Sequence, residues 1–411
     1  MRLIVTIHEE TPDAAISAIR ALTLRHDVVE VRFDAFGARP YDFRAFREAT
    51  SKPILATNRG NGSVDVARAI EAGIELVDVE WREGLTIDEH RDRIVLSHHD
   101  WNGVPELAPL IAAMSSLECA HTKIAVTPRT LSENEALLNV ARERVSIFGM
   151  GERGLYSRIL APFFGSALTF VAPDDAHVAA PGQLTLARAL AIYGDGDLPQ
   201  NPRVFAVAGN PAGHSLSPSI HNPLFRQHGV AAAYTIASFE TFDEIAEAFL
   251  ARRITGLSVT APFKAAAFAL ATSERGDIRE HARMTGVANT LVWIDGRIVA
   301  DNTDVDGFLA LLEGRPRGHA AIVGAGGTAV SARVALERSG YEVTLYNRTP
   351  GKLAARPLSD VASFDGALIV NTLPIGAVVE LPRDIPVIDA AYRGASGTGY
   401  DLLRAQAARQ N

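Results

Sequence analysis

Short apolar runs recur through the first half of the chain at 2–7, 28–34, 53–58, 76–81, 93–100, 119–126, 145–150 and 168–172, and most are spaced by helix-length stretches. Runs of this length bounded by polar turns predict eight strands, and strands alternating with helical segments predict parallel pairing. Eight such units suggest a closed (β/α)8 barrel with its chemistry at the C-terminal strand ends. Between Gly194 and Arg203 the periodicity lapses into a polar stretch with Pro199 and Pro202. A domain boundary is expected there, giving 1–198 and 199–411. A new α/β series begins at Val204, runs through Gly256–Thr260 and Thr290–Ile294, and reaches a nucleotide-type unit from about Ala320.

Composition narrows the choice. The formal net charge of −8, without a run of lysine and arginine, offers no surface for nucleic acid. One cysteine, Cys119, excludes an internal disulfide and a cysteine-based zinc cluster, and no metal is expected. The opening strand is too brief for a signal-peptide core, and no apolar run approaches membrane-spanning length. A cytoplasmic protein that meets no membrane is expected.

Within the barrel pattern, period two puts Glu30, Arg32 and Asp34 on one face of the second strand, and Thr57 and Arg59 on one face of the third. Lys123 sits inside the apolar run His121–Val126. Desolvation penalises a charged lysine, and the neutral amine can attack a ketone to form an imine. His98 and His99 must point to opposite faces, so at most one serves the interior. Taken alone, these charges also suit a structural ion-pair network closing the barrel mouth.

The ordered set resembles type I 3-dehydroquinate dehydratase. It comprises Val29-Glu-Val-Arg-Phe-Asp34, Ser97-His-His-Asp-Trp101, Thr122-Lys-Ile-Ala-Val126, the stretch Ser157–Phe170, and Ala180-Pro-Gly-Gln183. The resemblance implies that Lys123 forms a Schiff base with the substrate ketone and that His99 moves the adjacent proton and protonates the departing hydroxyl. It implies that Arg158 and Gln183 hold the carboxylate and hydroxyls, with Glu30, Arg32 and Arg59 completing the polar wall. Family members usually carry a glutamate soon after the arginine matching Arg59. Here the segment is Arg59-Gly-Asn-Gly-Ser-Val-Asp65, which leaves Asn61 or Asp65 as replacements and points to a weakened dehydratase.

From Val204 onward the chain resembles shikimate dehydrogenase. The segment Gly209–Asn222 matches that family's substrate loop, with Ser215 and Ser217 as its serines, and Gly256–Lys264 and Asn302-Thr-Asp304 carry its lysine and aspartate. Lys264 and Asp304 are the implied proton relay, and Thr260, Asn289, Tyr392 and Gln406 the implied substrate contacts. Gln406 can also be read as part of an earlier helix in a truncated end. The implied layout is a substrate-binding part at about 203–303, a Rossmann part at about 304–390, and a last helix returning to the substrate part.

The nucleotide unit is legible on physical grounds. His319–Ala329 is a strand, a glycine turn and a helix start, with Gly324, Gly326, Gly327 and Ala329 suited to a pyrophosphate. The next strand ends in Asn347-Arg348-Thr349 where an acid would read a ribose diol, and an arginine there favours NADP. The expected function is dehydration of 3-dehydroquinate to 3-dehydroshikimate, then NADPH-dependent reduction to shikimate. The competing expectations are a degenerate dehydratase half acting as a ligand sensor, and quinate oxidation with NAD.

Overall fold

The computed structural model describes residues 1–59, 64–349, 351–374, 376–391 and 397–410. Their contacts form two units, Met1–Arg203 with Phe225–Ser238, and Val204–Leu224 with Phe239 to the end.

The first unit contains β1 (Arg2–Ile7), β2 (Val28–Arg32), β3 (Ile54–Thr57), β4 (Leu76–Glu80), β5 (Ile94–Asp100), β6 (His121–Val126), β7 (Val145–Gly149), β8 (Leu168–Ala172) and the short β9 (Leu184–Thr185). All eight sequence-predicted strands are present. They curl in chain order, parallel throughout, and β8 closes back onto β1 with Leu3 opposite Thr169. The backbone ladder stops at one seam, between β7 and β8, and serines bridge it. Ile147 N–H donates to Ser166 Oγ at 3.3 Å, and Leu168 N–H donates to Ser146 Oγ at 2.9 Å.

Alternation sorts each strand into two faces. Ile4, Val28, Leu55, Val95, Phe148, Leu168 and Phe170 form one buried apolar cluster inside the curl. The opposite parity of Leu96, Ile124, Val126 and Ile147 packs against Leu110, Met114 and Leu137 of the helices Leu107–Ser115 and Leu131–Val140. Two or four residues beyond the inner apolar floor, the inward parity turns polar, at Thr6, Glu30, Arg32, Thr57, Asp78, Glu80, Ser97 and His99, and Lys123 of β6 joins them. The barrel thus has an apolar floor and a polar mouth.

After β10 (Arg203–Gly209) and the helix Ser217–Gln227 the chain reaches β11 (Ala232–Ser238), and Phe225–Ser238 groups with the first unit. Thr235 Oγ1 donates to the Tyr156 carbonyl at 3.0 Å and Ser238 Oγ to Glu152 at 2.8 Å. Arg226 donates to the carbonyls of Ala191, at 2.9 Å, and Ile192, where a cation favours the end of the helix Leu186–Tyr193.

In the second unit, β10 pairs parallel with β12 (Gly256–Val259), the next strands being β13 (Asp277–Ile278), β14 (Thr290–Ile294) and β15 (Arg297–Asp301). The pairings β12–β14 and β14–β15 are antiparallel, and β13 joins β15 in parallel. A second sheet follows, from β16 (His319–Val323), β17 (Glu342–Asn347), β18 (Arg356–Pro357), β19 (Leu368–Asn371) and β20 (Val387–Asp389), in the order β18-β17-β16-β19-β20 and parallel throughout. That is the expected doubly wound half, with helix Gly327–Arg338 after its first strand. The helix Thr398–Gln410 returns onto the helix Asp304–Leu312, where a Cβ at Gly307 would stand 2.7 Å from Leu402 Cδ1. A side chain there would have to push the Leu402 side chain aside. No helix among the described residues is long and apolar enough to cross a membrane.

Candidate functional site

The polar mouth of the barrel surrounds a cavity of about 420 Å³. Its lining includes Glu30, Arg32, Arg59, His99, Lys123, Arg158 and Gln183, so the seven first-half residues to which the resemblance gives a role lie at this one site. His98, one residue from His99, points the other way and packs edge-on against Trp81.

Lys123 Nζ is 3.5 Å from Glu30, 3.7 Å from Asp78 and 3.7 Å from the centre of the Phe170 ring. Burial pushes its pKa below the usual lysine range, and Arg59 and Arg32 add to that effect while Glu30 and Asp78 oppose it. Burial works the other way on Glu30, but the Lys123 charge and the Thr6 hydroxyl outweigh it and bring the carboxyl to about 2. Thr6 and Thr57 donate to Glu30 at 2.7 and 2.8 Å, and Gln183 donates to Thr6 at 3.2 Å. A continuous relay of hydrogen bonds therefore fixes the carboxylate beneath the amine.

The arginines differ. Arg32 is paired with Asp34 through two hydrogen bonds, at 2.9 and 2.7 Å. Arg59 donates to Asp78 at 2.8 Å, to Ser97 at 2.7 Å, and to Glu80. Arg158 is buried, donates through Nε to the Gly149 carbonyl at 2.9 Å, and pairs with no carboxylate among the described residues. Burial lowers its pKa to about 10. A buried guanidinium without a counter-ion is a ready receptor for an anion.

Among the described residues, the carboxylate that holds His99 is Glu80. His99 Nδ1 lies 2.9 Å from Glu80 Oε2, and its backbone N–H donates to Glu80 Oε1, also at 2.9 Å. Of the two replacements expected from sequence, Asp65 caps the helix Val66–Glu71 by accepting from Arg68 N–H, and Asn61 lies outside the described residues. Burial depresses the His99 pKa, with Arg59 and Lys123 adding to this and Glu80 opposing it. Asp78 and Glu80 are not among the candidates read from the sequence, and Ser97 enters there only as the first residue of a matched segment. Their signal was present, because Asp78 and Glu80 alternate on β4 as Glu30 and Arg32 do on β2.

In the second unit, Lys264 opens the helix Lys264–Ser273 and is buried, with Nζ donating to Asp304 and, at 3.0 Å, to Thr328 Oγ1. Asp304 Oδ1 accepts from Asn289 and from Gln406, each at 2.6 Å. Gln406 therefore sits beside the lysine–aspartate pair, and Gln410, one turn on, donates to Thr290 at 2.7 Å. Thr303, the N-cap residue of the helix opened by Asp304, donates its backbone N–H to Asn289 Oδ1 at 2.8 Å. Ser215 and Ser217 are both buried and hydrogen-bonded to each other at 3.1 Å, and Thr260 is half-buried after β12. Tyr392 lies outside the described residues.

The nucleotide turn meets this cluster. Gly324 has φ +119°, and a Cβ there would lie 2.3 Å from Thr372 Oγ1, so backbone can come close where a side chain cannot. Gly326 caps the helix that Gly327 opens, Ala329 is buried in it, and a Cβ on Gly327 would be 3.1 Å from Lys264 Cδ. Asn347 ends β17 and donates to the Thr349 carbonyl at 3.3 Å, while Arg348 and Thr349 are exposed. Thr328 escaped the sequence reading because it falls between two fingerprint positions.

A family model for type I 3-dehydroquinase matches residues 3–195, and one for the substrate-binding domain of shikimate dehydrogenase matches residues 207–291. A curated relative in Arabidopsis thaliana, a chloroplastic bifunctional 3-dehydroquinate dehydratase/shikimate dehydrogenase, is 26% identical over 88% of this chain and 69% of its own length. A shikimate dehydrogenase (NADP(+)) of Oleidesulfovibrio alaskensis is 35% identical over 50% of this chain and 78% of its own. Among solved structures, the shikimate 5-dehydrogenase of Thermus thermophilus in complex with NADP(H) and shikimate is 28% identical over 51% of this chain and 91% of that one, with a TM-score of 0.43. The chain belongs to the shikimate dehydrogenase family, and its residues 3–195 match the family model for type I 3-dehydroquinase, the pairing found in the bifunctional Arabidopsis relative.

Proposed function

We propose that the first unit dehydrates 3-dehydroquinate through an imine on Lys123 and that the second reduces the resulting 3-dehydroshikimate to shikimate with NADPH. The observation that carries the first half is a buried amine and a carboxylate-held imidazole lining one cavity with a buried arginine that meets no carboxylate among the described residues. Arg158 takes the substrate carboxylate. The Lys123 amine attacks the ketone and expels its oxygen as water, and the imine withdraws electrons from the neighbouring carbon. His99 takes the proton from that carbon and then delivers a proton to the departing hydroxyl, after which water releases product and amine.

In the second unit the glycine turn, the helix N-terminus at Gly327 and exposed Arg348 fit a dinucleotide with a 2′-phosphate. The cofactor supplies hydride when bound. Lys264, held by Asp304 and Thr328, gives its proton to the carbonyl oxygen as hydride reaches the carbon, and Asp304 stabilises its charge. Ser215 and Ser217 hold the carboxylate, and Asn289, Thr260, Tyr392 and Gln406 contact the hydroxyls. We place the domain boundary near residue 198. The buried free thiol of Cys119 fits a reducing compartment, and we assign the chain to the cytoplasm.

Borohydride added with 3-dehydroquinate should leave a reduced adduct on Lys123, and shikimate oxidation should proceed with NADP. An adduct mapped to another residue would refute the imine assignment.

A further inference from the structure

The sequence places no glutamate in the loop after Arg59, yet the structure supplies His99 with a carboxylate from a different strand. Glu80 ends β4 and lies beside Ser97 of the neighbouring β5 in the parallel register. One carboxylate grips both the main chain and the ring of the same residue, through His99 N–H at 2.9 Å and His99 Nδ1 at 2.9 Å. Ser97 Oγ steadies it at 3.2 Å, and Arg59 holds it from the end of β3.

Resting on the dehydratase reading above, we propose that Glu80 is the positioning residue for His99, fixing its tautomer and orientation in place of a loop glutamate. A carboxylate only accepts, so Nδ1 carries the hydrogen and Nε2 is left as the nitrogen that exchanges a proton with substrate. The clamp on the backbone N–H fixes the strand end from which the ring projects. Glu80 also supports the imidazolium. The charged groups facing the ring are Glu80 on β4, Arg59 after β3 and Lys123 on β6, and the two cations both disfavour a second positive charge. Glu80 is therefore the group that allows His99 to hold the proton between its removal from carbon and its delivery to the hydroxyl.

The test is Glu80→Gln in the full chain, with Glu80→Asp and Asp65→Ser beside it. Glu80→Gln should lower kcat for dehydration at least tenfold while KM changes by less than about threefold. It should also move the acidic limb of the kcat/KM profile down by about one pH unit or more, because burial, Arg59 and Lys123 then act unopposed. Glu80→Asp should restore part of both effects, and Asp65→Ser should show neither. An acidic limb that stays in place in Glu80→Gln, or a rise in KM as large as the fall in kcat, would overturn the assignment. So would the same shift in Asp65→Ser. Borohydride trapping separates the two levels. An adduct on Lys123 in wild type and Glu80→Gln shows a folded dehydratase site, so an unmoved limb then counts against Glu80 alone. A wild-type protein with neither adduct nor dehydration would remove the dehydratase reading and this proposal with it.

Discussion

Replacing Glu30 with glutamine removes the carboxylate directly under Lys123 while keeping the shape of the side chain. Two unit charges 3.5 Å apart attract by about 5 kcal/mol at an effective dielectric of about 20, and burial of the carboxylate subtracts from that. The depression of the Glu30 carboxyl from 4.5 to about 2 measures the balance, roughly 3 kcal/mol favouring the folded state at neutral pH. The folded pKa is the lower one, so this stability is fully present above about pH 4.5 and is lost as pH falls towards about 2. In urea titrations followed by a signal confined to the first unit, Glu30→Gln should unfold about 3 kcal/mol more easily at pH 7. The gap should narrow to about 2 kcal/mol near pH 3.5, where the wild-type carboxylate has given up part of its advantage. Lys123 provides a second readout, because Glu30 is the strongest group holding its ammonium charged. The pH at which borohydride traps half the maximal adduct should fall in the variant. A stability gap under 1 kcal/mol, or one that does not narrow with acid, would refute the pairing described here.

Arg348→Asp should raise the KM for NADP at least tenfold more than that for NAD, about 1.4 kcal/mol of discrimination, and equal losses with both cofactors in shikimate oxidation would show that Arg348 does not read the phosphate. His99→Ala should leave almost no dehydration, whereas His98→Ala, whose ring packs against Trp81 and away from the cavity, should be mild; the reverse order in steady-state assays would contradict the facing of β5. Gln406→Ala removes one hydrogen bond to Asp304 and should raise the KM for shikimate about three- to tenfold with dehydration unchanged, and an unaltered KM would exclude Gln406 from the substrate site.

The eight barrel strands were legible because each apolar run is short and bounded by turns, and Lys123 stood out because an ammonium contradicts its strand. The glycine turn and the following strand end were legible for a related reason, since backbone geometry there restricts which residues fit. What the sequence did not disclose depends on which strands become neighbours. Glu80 lies 19 positions before His99 in sequence, yet parallel pairing of β4 with β5 makes them adjacent at the mouth. Thr328 reaches Lys264, and Gln406 reaches Asp304, across 64 and 102 positions. The serine bridges at the β7–β8 seam were equally invisible, because Ser146 and Ser166 read as ordinary polar residues until the ladder is seen to stop between them.

The most direct test of the central claim supplies the full chain with 3-dehydroquinate and NADPH, and compares it with Lys123→Ala. Wild-type protein should form shikimate with one NADPH oxidised per molecule. Lys123→Ala should form none from 3-dehydroquinate and still oxidise shikimate with NADP. A wild-type chain that oxidises shikimate but leaves 3-dehydroquinate untouched, or a Lys123→Ala variant that converts it as fast as wild type, would contradict the account.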